Sequence, residues 1–192
     1  KLYGKTISSK KIFVGPKKLR EQEVAHVPED RQRMGLVTEF NASENLIFGY
    51  HHQEPFSKSS VMMGKNIFNH SKKIMRDYDV RPQSPFLLTS NFSGGNQQKI
   101  ILSRELNKDP KVLLVGQPTR GVDIGAIEFI HQRIIDMRDK GVAVLLVSVE
   151  LDEILSLADR IVVMFDGKLV GERINENVTD REIGLLMAGI TN

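Results

Sequence analysis

Three short apolar runs in the second half of the chain constrain its fold more than any other feature. They lie at residues 112–115, 142–147 and 161–165, and turn residues border each of them. Runs rich in β-branched residues without polar alternation are typical of strands that are buried on both faces. Such strands occur in parallel sheets covered by helices. The runs therefore predict the centre of an α/β domain.

The segments between these runs have helical patterns. Apolar residues at three- and four-residue spacing predict an amphipathic helix over residues 126–139. Residues 151–158 predict a second helix before the third run. An alternating order of strands and helices favours right-handed crossovers, so we expect all three runs in one parallel sheet.

The end of the chain predicts a hairpin followed by a helix. Asp166-Gly167 is a turn signal that would join the third run to a strand at residues 168–172. Thr179, with Glu182 three residues later, predicts a capping box at the start of a final helix.

The first half of the chain has weaker patterns. Strands are predicted at residues 1–7 and 23–27, and Pro16 is expected to open a short helical turn between them. Ser43 precedes a predicted short helix, and residues 66–78 predict a longer basic helix. The expected organisation is an α/β core formed by residues 1–37 and 111–192, with an inserted and mostly helical subdomain at residues 38–110.

Composition excludes several classes of protein. A formal net charge of +3 over 192 residues is too small to indicate a nucleic-acid-binding arm. The chain has no cysteine, which excludes disulfides and cysteine-ligated zinc. Its longest apolar run is far shorter than the ~20 residues of a membrane-spanning helix. Because the first residue is Lys1 and not methionine, we expect a piece of a longer polypeptide.

A phosphate-binding element is predicted where the helix after residue 93 begins. Ser93, Gly94 and Gly95 would leave backbone N–H groups uncovered at the positive end of that helix. Glycine has no Cβ, so a phosphate could come close to the main chain. The alternative is a serine N-cap followed by a flexible turn.

The run from Phe92 to Gln98 resembles the signature motif of ABC ATPases, in the form typical of sugar and nucleoside importers. Two other segments at the expected intervals resemble loops of the same family. A D-loop would comprise Gly121, Val122 and Asp123, and a Q-loop would comprise Glu29, Asp30 and Arg31. The resemblance covers almost the whole chain and is strongest to nucleoside importers. It implies an ABC-type, P-loop NTPase-like α/β fold that is truncated at its N-terminus.

The chain departs from this family at three places. It contains no Gly-x-x-x-x-Gly-Lys-Ser/Thr phosphate loop. The acidic pair that should follow the Walker B strand is replaced by Gly116 and Gln117. The family's switch histidine would fall at Val149, whose side chain cannot form a hydrogen bond. We therefore expect the chain's own nucleotide site to be degenerate, with no intact catalytic residue and no metal ligand.

The family resemblance also implies partners and cofactors. ATP and Mg²⁺ would bind at a composite site shared with the first nucleotide-binding domain of the same polypeptide. This chain would serve the partner's ATP in trans through its signature residues, which are Ser93, Gly94, Gly95, Asn96 and Gln97. Asp123 would contribute across the dimer and could also cap the helix that follows it. Permease subunits and a solute-binding lipoprotein are the other expected partners, at the cytoplasmic face of the plasma membrane, without nucleic acid.

Three alternatives remain open from the sequence. The first is a structural or regulatory ABC-like module that does not hydrolyse ATP. The second is an importer of simple sugars such as ribose or galactose in place of nucleosides. The third is a soluble ABC protein of DNA repair or translation, which is disfavoured because long helical insertions and basic arms are not seen.

Overall fold

The computed structural model describes residues 15–190, so the predicted strand at residues 1–7 lies outside it. The α-helices are α1 (Pro16–Glu21), α2 (Ala42–Ile47), α3 (Gly64–Asp77), α4 (Gly94–Leu106), α5 (Ile124–Asp139), α6 (Leu151–Leu157) and α7 (Asp180–Met187). The strands are β1 (Val24–Val27), β2 (Ser57–Lys58), β3 (Val61–Met62), β4 (Val112–Gly116), β5 (Ala143–Val147), β6 (Arg160–Phe165) and β7 (Lys168–Ile174). Two short helical turns lie at Arg31–Gly35 and Thr89–Asn91.

A parallel sheet of three strands, in the order β1-β4-β5, forms the centre of the molecule. Val27 pairs with Val115, and Gly116 pairs with Val147, so the three strands end at one edge of the sheet. The helix α4 packs against β1 and α5, and its residues Ile100 and Ile101 are fully buried. The prediction of parallel pairing is confirmed for the first two apolar runs.

The third run does not join this sheet, so the expectation of one parallel sheet through all three runs is wrong for the described residues. The strand β6 pairs in antiparallel fashion with β7, as the hairpin signal at Asp166-Gly167 predicts. Because the turn supplies a partner that is adjacent in sequence, β6 and β7 form a separate sheet. Its inner face packs on Ile183 and Leu186 of α7.

The strand β5 is not buried on both faces as its composition predicts. Leu145 and Val147 are each 59% exposed, whereas Val144 and Leu146 pack against the core. Alternate side chains of a strand point to opposite faces. The described residues therefore cover only one face of this strand.

The helix α2 begins two residues earlier than predicted. Asn41, and not Ser43, is its N-cap: the Asn41 side chain accepts a hydrogen bond from the Glu44 backbone N–H at 3.0 Å. The Glu44 carboxylate accepts from the Asn41 N–H at 2.8 Å, which completes a capping box. At α7 only half of the predicted box forms, because the Glu182 carboxylate binds Arg173 instead.

A buried cluster of charges links α1 to α4. The Glu105 side chain is fully buried and accepts hydrogen bonds from Arg20 at 2.8 Å and from Arg104 at 2.9 Å. The Arg20 guanidinium also donates to the Tyr50 hydroxyl at 2.9 Å. A buried carboxylate is tolerated when such partners compensate its lost hydration. Within residues 15–190, none of the helices has the length and apolarity to cross a bilayer.

Candidate functional site

The predicted site residues meet where the three parallel strands end. Glu29 and Arg31 follow β1, Gly116 ends β4, and Val149 follows β5. The start of α4 lies against the same edge, since Gly94 and Gly95 approach the loop between β4 and α5. Ligands of open α/β sheets bind outside the carboxyl ends of the strands. The structure thus brings together segments that are far apart in the sequence.

The helix α4 begins with Ser93 as its N-cap. The Ser93 hydroxyl oxygen accepts hydrogen bonds from the Asn96 backbone N–H at 3.4 Å and from its side-chain amide at 2.9 Å. Ser93 itself is exposed. The first N–H groups of a helix have no acceptor within the helix, and its N-terminal end carries a partial positive charge. This end of α4 can therefore receive an anionic group.

The Gln97 side chain is turned into the protein. It is buried, its amide donates to the Thr89 carbonyl at 3.1 Å, and its oxygen accepts from Gln32 at 3.3 Å. Gln97 lies about one helical turn beyond Ser93, at a position that faces the interior of the protein. Its backbone N–H donates to the Ser93 carbonyl at 2.9 Å, so the side chain and the backbone N–H of Gln97 both have partners within the chain.

The two glycines of the signature run are required by packing. A Cβ on Gly94 would lie 2.7 Å from a guanidinium nitrogen of Arg31 and 2.8 Å from the Gly121 carbonyl oxygen. A Cβ on Gly95 would lie 2.8 Å from a carboxylate oxygen of Asp123. The sequence indicated glycine for the approach of a phosphate, whereas the structure shows that glycine also allows α4 to contact the 121–123 loop.

Arg31 joins the loop after β1 to the loop after β4. Its guanidinium donates to the Arg120 carbonyl at 2.6 Å and to the Gly121 carbonyl at 3.1 Å. A second link runs in the opposite direction, because the Arg120 guanidinium lies 3.2 Å from the Glu29 carboxylate. The predicted Q-loop and D-loop are thus in direct contact.

Asp123 caps the helix α5. One carboxylate oxygen accepts from the Ala126 backbone N–H at 2.9 Å, and the other lies beside Gly95. The capping role that the sequence predicted is confirmed by this hydrogen bond. The second carboxylate oxygen of Asp123 faces the start of α4. A polar cleft of about 370 Å³ opens at this place. The cleft also borders Asp79, and the hydrogen bond from Arg81 lowers the pKa of that carboxyl.

The positions after β4 hold no carboxylate. A Cβ on Gly116 would lie 3.2 Å from the Glu29 backbone nitrogen, so this position is closely packed. The Gln117 backbone N–H donates to the Val147 carbonyl at 2.8 Å, and its side-chain oxygen accepts from the Val149 N–H at 3.4 Å. Val149 is 64% exposed. Its side chain therefore offers no polar group to a phosphate.

The described residues do not fit Mg²⁺. No group of three or more histidine, aspartate or glutamate side chains within residues 15–190 could hold a metal ion. The backbone of Glu29 lies beside Gly116, and the Glu29 carboxylate is paired with Arg120. Mg²⁺ prefers carboxylate and water oxygens, and Gly116 and Gln117 supply no carboxylate.

One polar cluster at this edge was missed by the sequence reasoning. Glu153 of α6 is 3% exposed and accepts from the Thr119 hydroxyl at 2.9 Å. The His131 ring nitrogen lies 3.0 Å from the same carboxylate oxygen. The cluster ties the loop after β4 to the helix that follows Val149. Sequence spacing gave no signal for it, because its members come from three separate elements.

Solved structures resemble this arrangement of strands and helices. A dimeric ATP-binding cassette in a post-hydrolysis state, bound to ADP and phosphate, matches with a TM-score of 0.66 and 21% identity, over 83% of this chain and 66% of that one. A nucleotide-free cassette from an ABC transporter matches with a TM-score of 0.67 and 22% identity, over 90% and 68% of the two chains. The chain has the fold of an ATP-binding cassette. The fold class predicted from the sequence is therefore confirmed.

The chain is also similar in sequence to proteins of known name. A nucleoside import ATP-binding protein of Lactococcus lactis subsp. cremoris is 46% identical over 189 residues, 98% of this chain and 37% of that protein. A guanosine import ATP-binding protein of Bacillus subtilis is 41% identical over 187 residues, 97% and 37% of the two. A glucose import ATP-binding protein of Haloferax volcanii is 37% identical over 176 residues, 91% and 32%. The chain spans about a third of the length of these relatives. No protein-family model matches the chain.

Proposed function

We propose that this cassette is the ATP-binding part of a nucleoside importer and that it completes, in trans, an ATP site on a partner domain. The proposal rests on the contrast between the start of α4 and the end of β4, which lie at the same edge of the central sheet. The start of α4 carries the partial positive charge of a helix N-terminus and packs against the Asp123 loop. The strand β4 instead ends in Gly116 and is followed by Gln117. The start of α4 is suited to an incoming phosphate, whereas the chain's own site has no acid to position an attacking water.

The composite site would be shared with the first nucleotide-binding domain of the same polypeptide. That domain would supply the phosphate loop, the Mg²⁺ ligands and the general base, and this cassette would supply Ser93 and the backbone N–H groups of Gly94 and Gly95. Oriented donors of this kind are worth about 3–4 kcal/mol at a developing charge. The cassette's own site would bind ATP weakly or hold it without hydrolysis, because loss of a general base costs about 10²–10⁴ in rate.

Nucleosides are the substrate that the similarities favour. The relatives named for nucleoside and guanosine import are 46% and 41% identical to the chain, whereas those named for glucose, xylose and ribose import are 31% to 38% identical. A simple-sugar importer is the second candidate. Uptake of labelled guanosine and of labelled ribose by cells that carry the complete importer distinguishes a nucleoside importer from a sugar importer.

An exposed aromatic patch supports a membrane partner. Phe40 and Phe48 are 40% and 42% exposed, and their rings meet edge to face with centroids 6.4 Å apart. Leu88 is bridged to Asn41 beside them and is 46% exposed. Large exposed apolar side chains that lie together mark interaction surfaces. Permease subunits docked on the segment from Glu29 to Phe56 would place the cassette at the cytoplasmic face of the plasma membrane, with a solute-binding lipoprotein on the other side.

A structural or regulatory module is the alternative function. The loss of both acids after β4 is equally expected for a cassette that never contributes to hydrolysis. The two functions differ at Ser93: a composite site needs this exposed N-cap, whereas a purely structural module does not.

Substitution of Ser93 in the complete importer tests the proposal. Ser93→Arg places a long side chain where the partner's phosphate would lie, and we expect ATP hydrolysis to be abolished while the melting temperature stays within a few degrees of wild type. Ser93→Ala is the matched control, because it removes the cap, worth about 1 kcal/mol, without adding bulk. Near-normal hydrolysis by the Ser93→Arg importer would contradict a role in trans.

The isolated chain provides a second test. We expect no measurable ATPase activity and weak binding of Mg-ATP, measured by phosphate release and calorimetry. Turnover near the ~1 s⁻¹ common among enzymes would contradict a degenerate site.

A further inference from the structure

The Arg31 guanidinium lies between two elements of the proposed composite site. On one side it donates to two successive carbonyls, those of Arg120 and Gly121, at 2.6 and 3.1 Å. On the other side it faces Gly94, where an added Cβ would lie 2.7 Å from its terminal nitrogen. Arg31 is thus packed between the loop that leads to Asp123 and the first residue of α4.

The first residues of the turn that carries Arg31 are themselves held by hydrogen bonds. The Asp30 side chain accepts from the backbone N–H groups of Gln32 and Arg33 at 3.2 and 3.0 Å, which caps the turn. The Gln32 side chain donates to Gln97 of α4 at 3.3 Å. The Arg31 side chain therefore leaves a backbone whose position is set by α4, and it reaches across to the other loop.

The guanidinium is held in this place despite a cost. Its Nε atom is buried and has no hydrogen-bond partner among the described residues. An unsatisfied buried donor is unfavourable. The bonds to the two carbonyls and the close contact with Gly94 must outweigh that cost. A lysine could not replace these contacts, because only the planar fork of arginine reaches two adjacent acceptors with fixed geometry.

We propose that Arg31 is a positioning residue that holds the loop from Arg120 to Asp123 against the start of α4. With the loop fixed, the N–H groups at Gly94 and Gly95 and the Asp123 side chain form one preorganised surface for the partner's nucleotide. Because Arg31 belongs to the loop after β1, a displacement of that loop is transmitted directly to this surface. The effect on hydrolysis rests on the proposed function, but the positioning of the loop does not.

Amide hydrogen exchange on the full chain tests the positioning. The N–H groups of Arg120 and Val122 close turns onto Gln117 and Thr119, so they report the order of the loop. Hydrogen bonds to charged groups are worth about 1.5–3 kcal/mol. In Arg31→Ala we therefore expect exchange of these two amides to rise about tenfold to a hundredfold, while amides in α3 stay unchanged.

Chemical rescue separates positioning from a general loss of stability. Millimolar guanidinium should restore protection in Arg31→Ala, because the small cation can occupy the vacated position between the carbonyls. Arg31→Lys should recover only part of the protection. The matched control is Arg33→Ala, since Arg33 lies on the same turn and is exposed; it should change nothing. Unchanged exchange in Arg31→Ala, or equal exchange in both alanine variants, would overturn the proposal.

Steady-state kinetics of the complete importer test whether Arg31 affects ATP hydrolysis. We expect Arg31→Ala to lower kcat about tenfold to a hundredfold with the KM for ATP little changed, since Arg31 contacts the loops and not the nucleotide. Increased exchange together with normal kcat would overturn its role in the reaction. If the wild-type importer does not depend on Ser93, the proposed function fails, and the exchange experiment still decides whether Arg31 positions the loop.

Discussion

The Glu105 carboxylate on α4 lies 2.8 Å from the guanidinium of Arg20 on α1 and has no exposure to solvent. This contact joins the segment before β1 to the helix that starts at the candidate site. The two residues are 85 positions apart in the sequence, so the pair forms only when α1 and α4 have come together. The charge of Glu105 is buried, so its hydrogen bonds to Arg20 and Arg104 must compensate its lost hydration.

Removal of this buried charge should destabilise the protein strongly. In Glu105→Gln, Arg20 and Arg104 remain with their charges uncompensated, and breaking a buried pair costs about 3–5 kcal/mol. Urea unfolding measures the loss. The matched control is Glu172→Gln, which removes an exposed pair with Arg160 and should cost no more than about 1 kcal/mol. Equal losses in the two variants would show that burial does not determine the effect.

The signature glycines should be intolerant of a methyl group. Gly94→Ala would force Arg31 and the Gly121 carbonyl apart, and overpacking of this kind costs about 1–3 kcal/mol. Gly125→Ala, near the start of α5, is the control because its Cβ meets nothing closer than 3.6 Å. It should be neutral or stabilising by up to about 1 kcal/mol. A Gly94→Ala protein with the stability of Gly125→Ala would contradict the packing described here.

Acid should destabilise the fold through His70. Burial, followed by the nearby charges of Lys108 and Lys73, lowers the pKa of His70 from 6.5 to about 4. Between those values the unfolded chain binds a proton that the folded chain does not, so stability is complete above the upper value and falls as pH drops from 6.5 to 4. His70→Gln should flatten this part of the pH profile of the urea midpoint. An unchanged profile would mean that His70 is not the group responsible.

Two acids introduced at the end of β4 should not give hydrolysis at the site that we propose to be degenerate. Gly116→Asp with Gln117→Glu supplies carboxylates, but Val149 still offers no side-chain hydrogen bond, and a Cβ at 116 must displace the Glu29 backbone. We expect no measurable gain in ATPase activity of the complete importer. The triple variant that adds Val149→His is the comparison. A large gain from the double change alone would show that the site lacks only its acids.

The sequence predicted those parts of the fold that depend on local pattern. The β-branched runs at β4 and β5 indicated parallel strands because such composition is unusual outside buried strands of parallel sheets. Asn41 with Glu44 has the spacing of a capping box, so the sequence does contain the signal that starts α2 at Asn41 and not at Ser43. The pairing of β6 with β7 also followed from Asp166-Gly167, but its separation from the sheet depends on which strands lie beside it, and no local signal carries that information.

The candidate site was predicted as a set of motifs and not as a set of contacts. The positions of Glu29, Ser93 and Asp123 in the sequence indicated three loops, and the structure brings all three together. The hydrogen bonds of Arg31, the inward direction of Gln97 and the position of Glu153 could not be predicted. They depend on the relative placement of elements that lie up to 90 residues apart, which composition and spacing do not determine.

The exposed face of β5 affects how the protein behaves in concentrated solution. Leu145 and Val147 lie uncovered on a strand that pairs, among the described residues, on one side only. An edge strand with apolar side chains is a template to which another chain can add a strand. Self-association through this strand should therefore limit the concentration at which the isolated chain stays monodisperse, and a lysine in place of Leu145 should raise that limit.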